Sequence, residues 1–172
     1  MLLPTDNNGR TAWHLAAEEG KSEILHKIWE WDKEKLTTEE INYKMLLATD
    51  RKRRIAWHIT AEKDEPDILQ KVWEWAKKKL TTEDINNKFL LATDCEGRTV
   101  WPVAAEWGKS EILQKEWEWA EEKLTKEEII NNSLFATDNK DRTAWQLAAK
   151  RHNVEVLEKL RSFLKTNNGV IK

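Results

Sequence analysis

Tryptophan recurs along this chain at a fixed step. Trp13, Trp57, Trp101 and Trp145 stand 44 residues apart, as do Trp29, Trp73 and Trp117, and Trp31, Trp75 and Trp119. Asp6, Asp50, Asp94 and Asp138 keep the same step, and so do Arg10, Arg54, Arg98 and Arg142. A chain that repeats itself in this way folds as copies of one supersecondary unit, each leaning on its neighbours for a core. Ten of the 11 tryptophans fall on the register, and Trp107 alone lies outside it. The reading is one repeat array over 1–172, with units at 6–49, 50–93, 94–137 and 138–172 and with 1–5 as the remnant of a preceding unit.

Within a unit the local signals are helical. Asp6-Asn7-Asn8-Gly9 reads as a turn. Thr11 then stands as an N-cap for a short helix from Ala12 to Glu19, stopped by Gly20. A second helix opens near Ser22-Glu23 and runs to about Glu34. Its apolar stripe holds Ile24, Leu25, Ile28, Trp29 and Trp31, wide enough for a helix covered on two sides. A third begins at Thr37, where Thr37 and Glu40 have capping-box spacing, and carries Ile41, Met45 and Leu46. Alternating strand patterns are absent, so the class is all-α. Aromatic residues at these register positions are expected in the core.

Bulk properties exclude several functions. Lys and Arg number 29 against 31 Asp and Glu, a net charge of −2, without the basic excess of a non-specific nucleic-acid binder. No apolar run approaches the ~18 residues of a membrane span. Met1-Leu2-Leu3-Pro4-Thr5-Asp6 has no basic stretch and no apolar core of useful length, so it does not read as a signal peptide. With Cys95 as its one cysteine, the chain reads as a cytoplasmic protein of a reducing compartment. No phosphate loop, HExxH, CxxC or nucleophile elbow is present, so it reads as non-enzymatic, without metal or cofactor.

Gly9-Arg10-Thr11-Ala12-Trp13-His14-Leu15-Ala16-Ala17, followed by Gly20-Lys21-Ser22-Glu23-Ile24-Leu25, resembles an ankyrin repeat, with Ala-Trp where that family has Pro-Leu. Similar runs occur at 97–113 and 141–157, and a weaker one at 53–69, so the resemblance covers the whole chain. Ankyrin units are about 33 residues long. The extra residues here fall around Lys35 to Lys44, where we expect an added third helix. The resemblance implies an α-solenoid of four ankyrin-like repeats, each with this extra helix, that binds a protein partner along its turn tips and first helices. It also implies a structural hydrogen-bonding role for His14 and His58.

Candidate partner-binding residues are those that vary between units without a packing reason. Arg51-Lys52-Arg53-Arg54 replaces Asn7-Asn8-Gly9-Arg10 and would attract an acidic partner. Arg53 occupies a glycine position, and a left-handed backbone there would strain it. Cys95, Glu96 and Lys140 vary at the later tips. Trp107 and Arg151 vary at the ends of first helices, and an exposed Trp107 would make a binding anchor. The fourfold Asp/Arg spacing reads as an ion pair bracing each tip. Asn131-Asn132-Ser133 matches a glycosylation sequon but falls inside an expected helix, and is discounted.

The alternative function is a purely structural segment of a longer ankyrin-type protein. Arg161 replaces the register tryptophan in the last unit, which suggests that the array ends near Lys172. Met1-Leu2-Leu3 shows no such polar replacement. Either the chain is cut from a longer array, or this end meets a partner, a homo-oligomer included.

Overall fold

The structure is a computed structural model and describes residues 4–166. The expectations placed on Met1-Leu2-Leu3 and on the end at Lys172 lie outside the described residues. It divides into two compact units, Met1–Cys95 and Glu96–Lys172, each holding two of the sequence repeats. Among the described residues there are eleven α-helices and no strand, with one isolated bridge between Thr137 and Thr143.

The first unit carries α1 (Ala12–Glu18), α2 (Ser22–Lys35), α3 (Thr38–Ile41), α4 (Ala56–Lys63), α5 (Pro66–Lys79) and α6 (Thr82–Asp84). Helix α1 packs on α2, α4 packs on α5, and α4 lies against α1. Thr11 caps α1 as expected, and the third residue of that helix, His14, reaches back to the cap. The Nδ1 of His14 accepts the Thr11 backbone N–H at 3.2 Å, which leaves the ring proton on Nε2 to donate to the Ala48 carbonyl at 2.9 Å. His58 Nε2 meets the Ala92 carbonyl in the same way at 3.0 Å. These histidines tie the first helix of a repeat to the end of its third, a structural role.

The expected third helix is present, but in two parts. Thr37 and Glu40 form the capping box of α3, which widens into a π-helical turn over Asn42–Leu46. The same change follows α6 at Ile85–Leu90. The wider turn lets Ile41, Met45 and Leu46 all face inward, as their burial shows.

Tryptophan fills the core by reaching back one repeat. Trp75 stacks on Trp29 with ring centroids 4.7 Å apart and lies 5.4 Å from Trp13. Trp57 packs on Phe89 at 4.6 Å and on Trp73 at 6.1 Å. Trp31, expected in the core, is instead 63% exposed, with the Lys35 ammonium 4.4 Å over its ring. Its helix presents it correctly, but no preceding repeat lies over it among the described residues.

The second unit carries α7 (Val100–Glu106), α8 (Ser110–Lys123), α9 (Lys126–Ile129), α10 (Ala144–Lys150) and α11 (Val154–Thr166), with a π-helical turn at Ile130–Leu134 after α9. Helix α10 lies against α7, and α11 against α8. Pro102 sits in the first turn of α7, where its missing N–H has no helical acceptor to lose. Ser133 is buried in the π-helical turn, against use of the sequon there. Phe163 takes the register of Trp31 and Trp75. It stacks on Trp117 at 4.4 Å and lies 5.5 Å from Trp101. Glu116 occupies an apolar register position and is buried. Trp145 is a second correction: expected in the core, it is 39% exposed, because no following repeat and no third helix cover it among the described residues.

Candidate interaction surface

The first, second and fourth turn tips are built alike. In the first, both the Asn8 and Arg10 backbone N–H groups donate to Asp6 Oδ1 at 2.8 Å, while Arg10 Nη2 lies 2.7 Å from Asp6 Oδ2. The Arg10 guanidinium, its strongest partner, holds the Asp6 carboxyl below its usual range. The second tip repeats this with Asp50 and Arg54, whose Nη2 is 2.8 Å from Oδ2. The fourth repeats it with Asp138 and Arg142, whose Nε donates to Oδ2 at 2.8 Å. Burial works to raise the Asp138 carboxyl, but Arg142 and the backbone N–H donors outweigh it and hold the group low. The ion pair read from the spacing is therefore a brace inside each of these tips.

Successive tips are joined through the backbone. In the first unit the Arg51 N–H donates to the Asn8 carbonyl at 2.9 Å, and the Cys95 N–H to that of Lys52 at 2.7 Å. In the second, the Asn139 N–H donates to the Glu96 carbonyl at 2.8 Å. The backbones of Asn8, Arg51, Lys52, Cys95, Glu96 and Asn139 are thus held, and their side chains are free to differ.

The basic run of the second tip is smaller than its sequence suggests. Arg51, Lys52 and Arg53 are exposed. Arg54 is not part of that surface: it bridges Asp50 and Glu62, the latter at 2.7 Å. Burial opposes its charge, yet these two carboxylates raise its pKa above the ordinary value. Arg10 pairs with Glu18 likewise, and Arg98 with Glu106 at 2.7 Å. Glu18, Glu62 and Glu106 also stand 44 apart, a signal present in the sequence that the reading missed. Arg53 has φ +58°, in the left-handed region taken by Gly9 and Gly97 at equivalent positions, so the expected strain is present.

Of the remaining candidates, Cys95 is exposed in the first unit. In the second, Glu96 approaches Arg98 at 3.4 Å and Arg142 at 3.7 Å, and Lys140 is exposed. Trp107 is 45% exposed and closes α7. The Arg151 guanidinium lies 5.2 Å over its ring and reaches Glu106 at 3.3 Å. Structure therefore joins two residues chosen separately into one platform, a flat indole backed by a cation. Arg51 to Arg53 and Cys95 belong to one compact unit, and Glu96, Trp107, Lys140 and Arg151 to the other, so they stand as two clusters.

Among the described residues, no group of three or more His, Cys, Asp or Glu side chains could hold a metal ion, and no helix is long and apolar enough to cross a membrane. No family model matches the chain, and no curated protein matches it.

Proposed function

We propose that this chain is a non-catalytic protein-interaction scaffold of the ankyrin type, an α-solenoid of four variant repeats, which holds a protein partner on its turn tips and first-helix ends in the cytoplasm. One observation supports this reading above the others. The first, second and fourth tips share one internal brace, and the tips within each compact unit are linked through their backbones, while the residues they carry differ: Asn7-Asn8, Arg51-Lys52, Cys95-Glu96 and Asn139-Lys140. A rigid support with diversified side chains suits recognition, because little conformational entropy is lost when the partner docks.

Arg51, Lys52 and Arg53 present three cations without an ion-pair brace of the Arg54 kind, and select an acidic partner through its approach rate. Trp107, backed by Arg151, offers desolvated contact area and sets residence time. Arg53 is held in a strained backbone, which is tolerated where a surface is used.

The test is capture of a partner by the immobilised chain, followed by two substituted chains. Arg51→Asn, Lys52→Asn and Arg53→Gly together restore the first tip's sequence and relieve the Arg53 strain. They leave Arg54 in place, so they do not unfold the tip. Association with the partner should slow by about tenfold or more and lose its salt dependence. Trp107→Glu should chiefly speed dissociation. A partner whose affinity ignores both changes would remove these tips as the site.

A further inference from the structure

We infer that the chain self-associates head to tail, the first-repeat face of one copy around Trp31 seating on the fourth-repeat face of a second copy around Trp145. The basis is the molecule's own internal junction. At the register of Trp31, Trp75 is 7% exposed because Trp13 and Trp29 cover it within the first unit. Phe163 is 6% exposed because Trp101 and Trp117 cover it within the second. Trp31 itself is open.

The rest of its face is open too. Ile68, Val72 and Ile59 in the second repeat are buried, as are Val156, Leu160 and Leu147 in the fourth. Their first-repeat equivalents Ile24, Ile28 and Leu15 line an exposed, almost wholly apolar groove of about 330 Å³, with Ile24 50% exposed. Glu19 and Lys21 also line the groove, but Leu15, Ile24 and Ile28 keep the apolar character of their buried equivalents, and an exposed apolar patch of this kind marks an interaction site.

The complementary half lies on the fourth repeat, in the second unit. Trp145 has the register of Trp13 and Trp101, the rings that cover a backward-reaching aromatic, and it lacks that aromatic. Leu157 is half-buried where Leu25, Leu69 and Leu113 are fully buried. Arg161 stands at the register of Trp29, the ring on which Trp75 stacks. A guanidinium stacks on an indole face, and the Trp31 ring already carries the Lys35 ammonium over it. The junction between copies is therefore the internal one with Trp over Trp replaced by Trp over Arg. It is weaker than the internal junction and reversible. The contact is heterologous, with different surfaces on the two copies, so it does not stop at a dimer unless the assembly closes.

Sedimentation velocity of the full chain over a dilution series reaching the millimolar range is the measurement. The average sedimentation coefficient should rise with concentration. Trp31→Glu and Trp145→Glu, both at exposed positions, should each abolish the rise while the helical far-UV spectrum stays intact. Ile24→Glu and Leu157→Glu serve as a second substitution on each face. An equimolar mixture of the Trp31→Glu and Trp145→Glu chains keeps one intact pair of faces, and should form a 1:1 dimer and nothing larger. A wild-type chain that stays monomeric throughout overturns the inference. A rise abolished by Trp31→Glu but untouched by Trp145→Glu also overturns it, since the first-repeat face would then be pairing with its own kind.

Discussion

The first and second repeats of the unit Met1–Cys95 have nearly the same residues at the same registers and quite different surfaces. Helix α2 carries Leu25, Ile28, Trp29 and Trp31, and α5 carries Leu69, Val72, Trp73 and Trp75. Trp75 is covered and Trp31 is not. The tips differ likewise: side-chain exposures are 29% and 22% for Asp6 and Arg10, but 2% and 11% for Asp50 and Arg54. Burial in this molecule is thus a property of the neighbour and not of the helix. Each repeat brings apolar surface that a preceding repeat must complete, and the first repeat shows what the others would look like alone.

The largest effect that could break this comparison is at the tryptophans. Trp75→Ala should cost about 3–5 kcal/mol in urea-unfolding experiments, the range for large core aromatics. Trp31→Ala, measured in dilute solution, should cost less than ~0.5 kcal/mol, as a surface change. Similar losses at both positions would mean that Trp31 already has a cover.

Next come the tip arginines. Arg54→Ala leaves the buried Asp50 carboxylate without its strongest partner and should cost about 2 kcal/mol. Arg10→Ala, at a more exposed and better-screened pair, should cost clearly less. Equal thermal shifts for the two variants would contradict the difference in burial.

The smallest effect concerns pH and sharpens the contrast at the helix starts, where Thr11 precedes His14 but Ile55 precedes His58. Burial depresses the His14 pKa below its ordinary 6.5, against the pull of the Ala48 carbonyl. The folded state therefore prefers the neutral ring, whose Nδ1 must stay bare to accept the Thr11 N–H. This contribution is complete above about pH 6.5 and is lost as the pH falls from there through the folded value. His14→Gln, the residue that completes the same capping box at Thr143, should remove that part of the acid dependence. Unchanged acid sensitivity between the two chains would place the titration elsewhere.

Much of this architecture was legible in the sequence because it is local or periodic. Thr11, Thr37 and Asp6 act within four residues of themselves, so their caps and braces could be read directly. The left-handed Arg53 followed from its glycine register. The π-helical ends of the third helices were not legible. Ile41, Met45 and Leu46 satisfy an α-helical stripe nearly as well, and the choice depends on what packs against them. Exposure of Trp31 and Trp145 was hidden because periodicity says which residues share a role and not whether a neighbour is there to fill it. Within the candidate surface, Arg54 has two readings in the sequence, a member of the basic run and the partner of Asp50 along the register; the structure favours the second and adds Glu62 to it. The Trp107–Arg151 platform joins residues 44 apart, and nothing in their types announced the contact.

The stacking of Trp29 on Trp75 also has an optical consequence. Their planes are 13° from parallel and their centroids 4.7 Å apart, close enough for the electronic transitions of the two indoles to couple. Coupled chromophores split their bands in circular dichroism, and the splitting depends on both rings keeping their mutual orientation. The helices could survive while that orientation is lost, leaving the amide bands almost unchanged. The first unit therefore carries its own reporter of whether its second repeat is seated on its first, readable without a label and separable from helix content during unfolding.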